Sequence, residues 1–135
     1  MALIEGRPVI DAVLARLAGL TTVDSRLAVG SRPPAPRSCV LYPRPGAPDG
    51  VLGDPDRNVR VQFQTTCIGE TAEQAMWTHD KVVGRLNRQI LTGTGFVTYP
   101  LRMVAGTQQP VRRDDTLADP WYLVTCSWQV TAQPA

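Results

Sequence analysis

The sequence has little of what chemistry at a site requires. Among 135 residues there is one histidine, His79, and aromatic residues make up only 6%. No apolar run approaches the ~20 residues that span a bilayer as a helix. The three cysteines, Cys39, Cys67 and Cys126, are odd in number, far apart and set in apolar runs, which argues against a disulfide framework and for buried thiols in a reducing compartment. No cysteine or histidine spacing matches a zinc site, and neither H-x-E nor P-C-x-x-C occurs. Thr92-Gly93-Thr94-Gly95 lacks the lysine of a phosphate loop and reads as a turn. The start MALIEGRPVID lacks the basic opening and apolar centre of a signal peptide. With 14 basic and 12 acidic residues the net charge is +2, too balanced to point to nucleic acid or an anionic membrane.

What is abundant is turn chemistry: twelve prolines and eleven glycines, clustered. Between the clusters lies the stretch around which the chain is organised. From Asn58 the sequence reads NVRVQFQTTCIGE, alternating with period 2, so Val59, Val61, Phe63, Thr65 and Cys67 share one face and Arg60, Gln62, Gln64 and Thr66 the other. Gly69 ends that strand. Thr71 with Gln74 is a capping-box pattern, and Ala72, Met76, His79, Val83, Leu86 and Ile90 then recur at helical spacing as a predicted apolar stripe.

The flanks supply the rest. Arg7 to Leu20 reads as a first helix, with Pro8 in its first turn and an apolar stripe of Ile10, Val13, Leu14, Leu17 and Leu20. A short strand is expected within Thr21–Gly30, with Leu27 and Val29 inward, and another at Ser38–Tyr42, separated by the connector SRPPAPR. Residues 43–57, PRPGAPDGVLGDPDR, read as a long mobile excursion between antiparallel strands, a kind of loop that is often functional. Phe96–Ala105 reads as a strand with Val97, Tyr99, Leu101 and Met103 on one face and Pro100 marking an edge or a bulge. Gly106–Pro120 reads as a polar connector in which Arg112, Arg113, Asp114 and Asp115 form a solvated charge cluster. Trp121–Thr131 alternates again, with Tyr122, Val124, Cys126, Trp128 and Val130 on one face, and the tail AQPA is expected to fray. The expected fold is α+β in one domain over residues 1–135: an antiparallel sheet of about four to five strands with two helices on one face, in the order α-β-β-β-α-β-β.

No nucleophile–base pair or metal set emerges, so no catalytic, metal or cofactor residues are assigned. His79 lies on an apolar stripe and reads as a packed histidine. The residues suited to contacts are Trp77, Lys81, Arg85 and Arg88 on the polar side of the second helix, and Trp121 on the less oily face of the last strand. A basic row of Arg26, Arg32, Arg37 and Arg44 leaves a nucleic-acid-binding module open as an alternative, and loss of an activity on His79→Ala would be the sign of a small enzyme.

The run VRVQFQTTCIGETAEQAMWTHDKVVGRL and the strand WYLVTCSWQV resemble the tail terminator (tail completion) proteins of long-tailed bacteriophages, in which a V-x-V-x-Q strand runs into a helix starting T-x-x-Q-A. The length, the N-terminal helix and the Pro/Gly/Asp-rich excursion agree with that pattern, and head-completion and tail-tube families share the same build. The resemblance implies a homo-oligomeric, hexameric ring at the head-proximal end of the virion tail, assembled in the host cytoplasm. It would meet the tail tube protein on one face and a neck protein on the other. Genome DNA would pass through without sequence-specific binding, and neither cofactor nor membrane is implied. Under it, Arg44, Asp49, Asp54, Asp56 and Arg57 of the excursion become candidates for a lumen or ring-face contact.

Overall fold

The computed structural model describes residues 5–17, 38–48, 58–106, 110–114 and 121–135, together with the strand pairing of 21–24. The fold is α+β, with two helices packed against a curled, largely antiparallel sheet. Helix α1 spans Gly6–Arg16 and α2 spans Ala72–Leu86. Among the described residues nine strands join into one sheet: β1 (Thr21–Asp24), β2 (Ser38–Pro43), β3 (Ala47–Pro48), β4 (Val59–Gly69), β5 (Thr92–Gly93), β6 (Phe96–Thr98), β7 (Arg102–Met103), β8 (Arg112–Asp114) and β9 (Trp121–Pro134). Their lateral order is β1-β2-β4-β9-β6-β5, with β3 on β4 and both β7 and β8 on β9. Only β1 and β2 run parallel; the other pairs are antiparallel.

The long pair β4–β9 is the spine, in continuous register from Val59 opposite Ala132 to Gly69 opposite Tyr122. The period-2 reading of both strands holds. Val59, Val61, Phe63 and Cys67 of β4 and Val124, Cys126, Trp128, Val130 and Ala132 of β9 are buried in the main core. From α1, Val9, Ile10, Val13 and Leu17 enter the same core, and from α2, Ala75, Val82 and Leu86. Phe63 and Trp128 face each other across the spine with rings 6.4 Å apart and nearly parallel, at 10°. The buried Trp128 indole N–H donates to Thr65 Oγ1 at 2.9 Å.

Helix α2 begins as the sequence suggests, with one difference. The Gln74 N–H donates to Thr71 Oγ1 at 3.2 Å, but the Gln74 side chain turns back to accept from Glu70 N–H, at 3.0 Å, and not from the cap residue itself. Gly69 is required by proximity: a Cβ there would lie 2.5 Å from the backbone nitrogen of Ala75, because the first turn of α2 folds directly over the end of β4.

Several expectations are corrected. The buried stripe of α2 is Ala75, Thr78, His79, Val82 and Leu86, rotated from the predicted one; Met76 is 53% exposed, and Ile90 lies beyond the helix and is 59% exposed. Helix α1 ends at Arg16, with Leu17 as its buried cap; Leu20 lies outside the described residues, as do Leu27 and Val29. The strand expected over Phe96–Ala105 is broken. Thr98 pairs with Ala132 and Arg102 with Gln129, so Pro100 and Leu101 together stand opposite Val130 as a bulge. The extra residue reverses the alternation, so Leu101 is buried while Tyr99 is exposed. Part of the polar connector is strand β8, which pairs Arg112, Arg113 and Asp114 with β9. The tail does not fray: Gln133 and Pro134 pair with β6.

Candidate assembly surfaces

Both helices cover one face of the sheet, and two surfaces remain that differ in chemistry. The first is the outer side of α2. A helix that buries the stripe running from Ala75 to Leu86 must turn Glu73, Met76, Trp77, Asp80, Lys81 and Gly84 outward. Trp77 is 45% exposed, and the Lys81 ammonium lies over its ring, 5.4 Å from the centroid. Such an exposed cation–π contact contributes on the order of 0.5–1 kcal/mol. Arg85 is half-buried beside the C-terminus of α1. Its carbonyl accepts from Arg16 Nε at 3.4 Å, and a second Arg16 nitrogen donates to Gln89 Oε1 at 3.0 Å, so Arg16 of α1 caps the end of α2. Arg88 follows the helix with φ +61°, a left-handed conformation that side chains avoid, and its N–H donates to Leu101 carbonyl at 2.8 Å.

The second surface is the helix-free face of the sheet. Arg60, Gln62, Gln64 and Thr66 of β4 lie beside Thr131, Gln129, Ser127 and Thr125 of β9. Gln62 Nε2 reaches Gln129 Oε1 at 3.4 Å, and the Thr66 and Thr125 hydroxyls are 3.4 Å apart. The result is a ladder of amides and hydroxyls with the one cation Arg60 at its end. At one end it closes over a small apolar cluster of Val40, Ile68 and Trp121, with Leu123 against them. At the other it opens into a cleft of about 310 Å³ whose walls include Tyr99, Arg102 and Thr131. A second cleft lies beside it, lined by Arg88, Pro100 and Arg102 among others.

The structure brings some of the sequence-predicted residues together and separates others. Trp77 and Lys81 touch; Arg85 and Arg88 follow along the same helix and its exit. Trp121 is apart from them. It sits on the helix-free face and is only 4% exposed, so in the isolated chain it packs its own sheet and neither underlies α1 nor presents a surface. Arg44 is exposed, its N–H donating to the Gln62 carbonyl at 3.0 Å, and it lines a shallow cleft with Arg7 and Ile10 of α1. Asp49, Asp54, Asp56 and Arg57 lie outside the described residues, as do Arg26, Arg32 and Arg37. Sequence reasoning missed Tyr99, Arg102 and Met76 as surface groups. Tyr99, beside Pro100, became visible only once the bulge was placed, and Met76 only once the helix was rotated. Among the described residues no group of three or more His, Cys, Asp and Glu side chains could hold a metal ion, and no helix is long and apolar enough to cross a membrane.

No family model and no curated protein matches the sequence. The fold, however, is found among solved structures. A chain of the virion of a native gene transfer agent particle superposes with a TM-score of 0.61 over 91% of this chain and 86% of that one, at 23% sequence identity. At that identity the likeness establishes a common fold.

Proposed function

We propose that the chain is a structural protein of a phage-like virion, and more closely a tail terminator: one tail-terminator-like domain that closes into a ring, caps the tail tube, and offers its other side to the neck. The observation that carries this reading is the fold shared, over nearly the whole length of both chains, with a component of a gene transfer agent virion. The resemblance of the β4–α2 block and of β9 to tail terminators narrows it.

The physical design suits assembly. A closed ring needs two different patches on each subunit, one meeting the other on the next copy. The outer side of α2, with Trp77, Lys81, Arg85 and Arg88, is a candidate for one. The excursion over residues 43–57, with Arg44, Asp49, Asp54, Asp56 and Arg57, is a candidate for a lumen or ring-face contact. A stable contact of this kind buries more than about 1,000 Å². Arg60 and Arg102 aside, the Gln/Thr ladder of the helix-free face would hydrate well and grip phosphates poorly, as a surface passed by genome DNA must, since densely basic surfaces bind DNA in a salt-dependent way.

The test is direct. Purified protein mixed with polymerising tube protein is expected to shorten the tubes and to appear as a ring at one end by negative-stain microscopy. A chain that stays monomeric and never joins tubes sinks the proposal. Rings that stack continuously would place it with tube proteins instead, and a steep loss of DNA affinity with added salt would favour the nucleic-acid module.

A further inference from the structure

Cys39 and Cys67 are 28 positions apart in the chain and directly opposite each other in the sheet: Cys39 of β2 is the register partner of Cys67 of β4. Both are fully buried free thiols on the helix-covered face. Directly opposed antiparallel residues hold their Cα atoms about 4.5–5.5 Å apart, inside the span a disulfide bridges. The Cys67 thiol meets Cys39 across the strand pair and His79 from the buried face of α2. The third cysteine is elsewhere: Cys126 is the register partner of Thr65, whose hydroxyl lies 3.4 Å from its sulfur.

We propose that Cys39 and Cys67 form a built-in oxidation site, a dithiol that peroxide converts into an intramolecular disulfide stapling β2 to β4, with His79 as the positioning residue. His79 contacts Cys67 and opposes the protonation that Cys39 and burial impose, so Cys67, once clear of Cys39, is the attacking group. The Cys67 sulfur attacks one oxygen of hydrogen peroxide; the O–O bond breaks, leaving a sulfenic acid and one water. The Cys39 sulfur then displaces the sulfenic hydroxyl, which departs as a second water. The two thiol protons end on the two waters, the sulfurs are oxidised to the disulfide, and the peroxide is reduced. Burial and the contact with Cys39 hold Cys67 protonated in the closed fold, so the reaction waits on a transient opening of β2 that admits peroxide while α2 keeps His79 beside the sulfur. The new bond closes a loop over the Pro/Gly/Asp-rich stretch between β2 and β4 and so restricts the unfolded chain. The inference stands on register and core packing, independently of the assembly reading.

The experiment treats the reduced full-length protein with hydrogen peroxide, alkylates the remaining thiols in denaturant, and measures intact mass and peptide links. The expected result is loss of two hydrogens, a Cys39–Cys67 linked peptide, and one alkylated thiol, Cys126. The thermal midpoint should rise by on the order of 10 °C and return with reductant. Cys126→Ser should oxidise alike. His79→Gln should form the same link several-fold more slowly, whereas a merely loosened core would speed it. Three alkylatable thiols after treatment, oxygen adducts without a link, or a link through Cys126 would each overturn the proposal.

Discussion

The hydrogen bond between Trp128 and Thr65 gives the sharpest test of how the spine is held. Trp128 is fully buried in the middle of β9, stacked on Phe63, and its indole N–H has Thr65 Oγ1 as acceptor at 2.9 Å. Thr65→Val keeps the shape of the side chain and removes only the acceptor. The indole N–H is then left buried and unpaired, at a cost of about 1–3 kcal/mol. The substitution also spares the desolvation of a hydroxyl, so about 2 kcal/mol is the net expectation. In a Trp128→Phe background the donor is gone, the Thr65 hydroxyl retains only the weak sulfur contact to Cys126, and the same Thr65→Val change should be close to neutral. The coupling between the two sites should therefore be on the order of 1–2 kcal/mol, well above the ~0.5 kcal/mol scatter of independent sites. Urea unfolding of the four proteins, followed by far-ultraviolet circular dichroism, measures it. Equal costs of Thr65→Val in both backgrounds would refute the reasoning.

Trp77→Ala should leave unfolding within about 1 kcal/mol of wild type, because the ring lies outside the core, yet weaken self-association at least 30-fold if Trp77 anchors a contact; sedimentation velocity with a thermal melt separates the two. Arg88→Gly relieves a left-handed residue and should raise stability by about 1 kcal/mol in urea titrations while lowering ring yield, the opposed signs marking a strained position kept for contact. Gly69→Ala pushes a Cβ into the backbone of the first turn of α2 and should cost about 2 kcal/mol or more, visible as a lowered urea midpoint. The Cys67 thiol is held protonated by its hydrogen bond to Cys39 and by burial, and the Cys126 thiol by burial. Above about pH 9 the unfolded chain therefore loses protons the folded one keeps, and stability should fall by up to about 1.4 kcal/mol per pH unit for each thiol; urea titrations from pH 7 to 10 should show the fall, and Cys67→Ala should make it shallower.

The fold was legible wherever one short-range rule acted alone. Period-2 alternation gave β4 and β9 their correct faces because each has one face in the core. Thr71 and Gln74 placed the start of α2. His79 and Leu86 were placed correctly on the stripe of α2, but the rest was misjudged because Met76, Val83 and Ile90 are as apolar as the true stripe, while the buried Thr78 is not. Pro100 signalled a bulge, but the reversal of alternation past it depends on the pairing with β9, which local sequence does not carry. Strand β8 was hidden in charged residues because its pairing with the start of β9 outweighs the poor strand propensity of Arg-Arg-Asp. Of the candidate surface residues, Trp77 and Lys81 were readable as a pair four apart on a helix. The burial of Trp121 was not, since the cluster that covers it joins three strands.

The departures from local rules gather at one corner of the molecule. Arg88 takes a left-handed conformation that glycine would adopt freely; its N–H is bound by Leu101, whose own N–H donates to Gln89 carbonyl at 2.9 Å. Pro100 breaks the strand beside it, and the bulge turns Tyr99 outward, 48% exposed, with Arg102 alongside. A sequence under selection for stability alone would place glycine at 88 and an unbroken strand over 98–103. Departures of this kind are expected where function sets the residue and the surrounding structure bears the strain. The corner also adjoins the end of α2, where Arg88 lines a cleft together with Pro100 and Arg102. If the corner belongs to the contact between copies, Arg102→Ala and Arg88→Gly should weaken self-association by less together than the product of their separate effects, because both act on the same cleft. Independent, multiplying losses would place the two arginines in different interfaces.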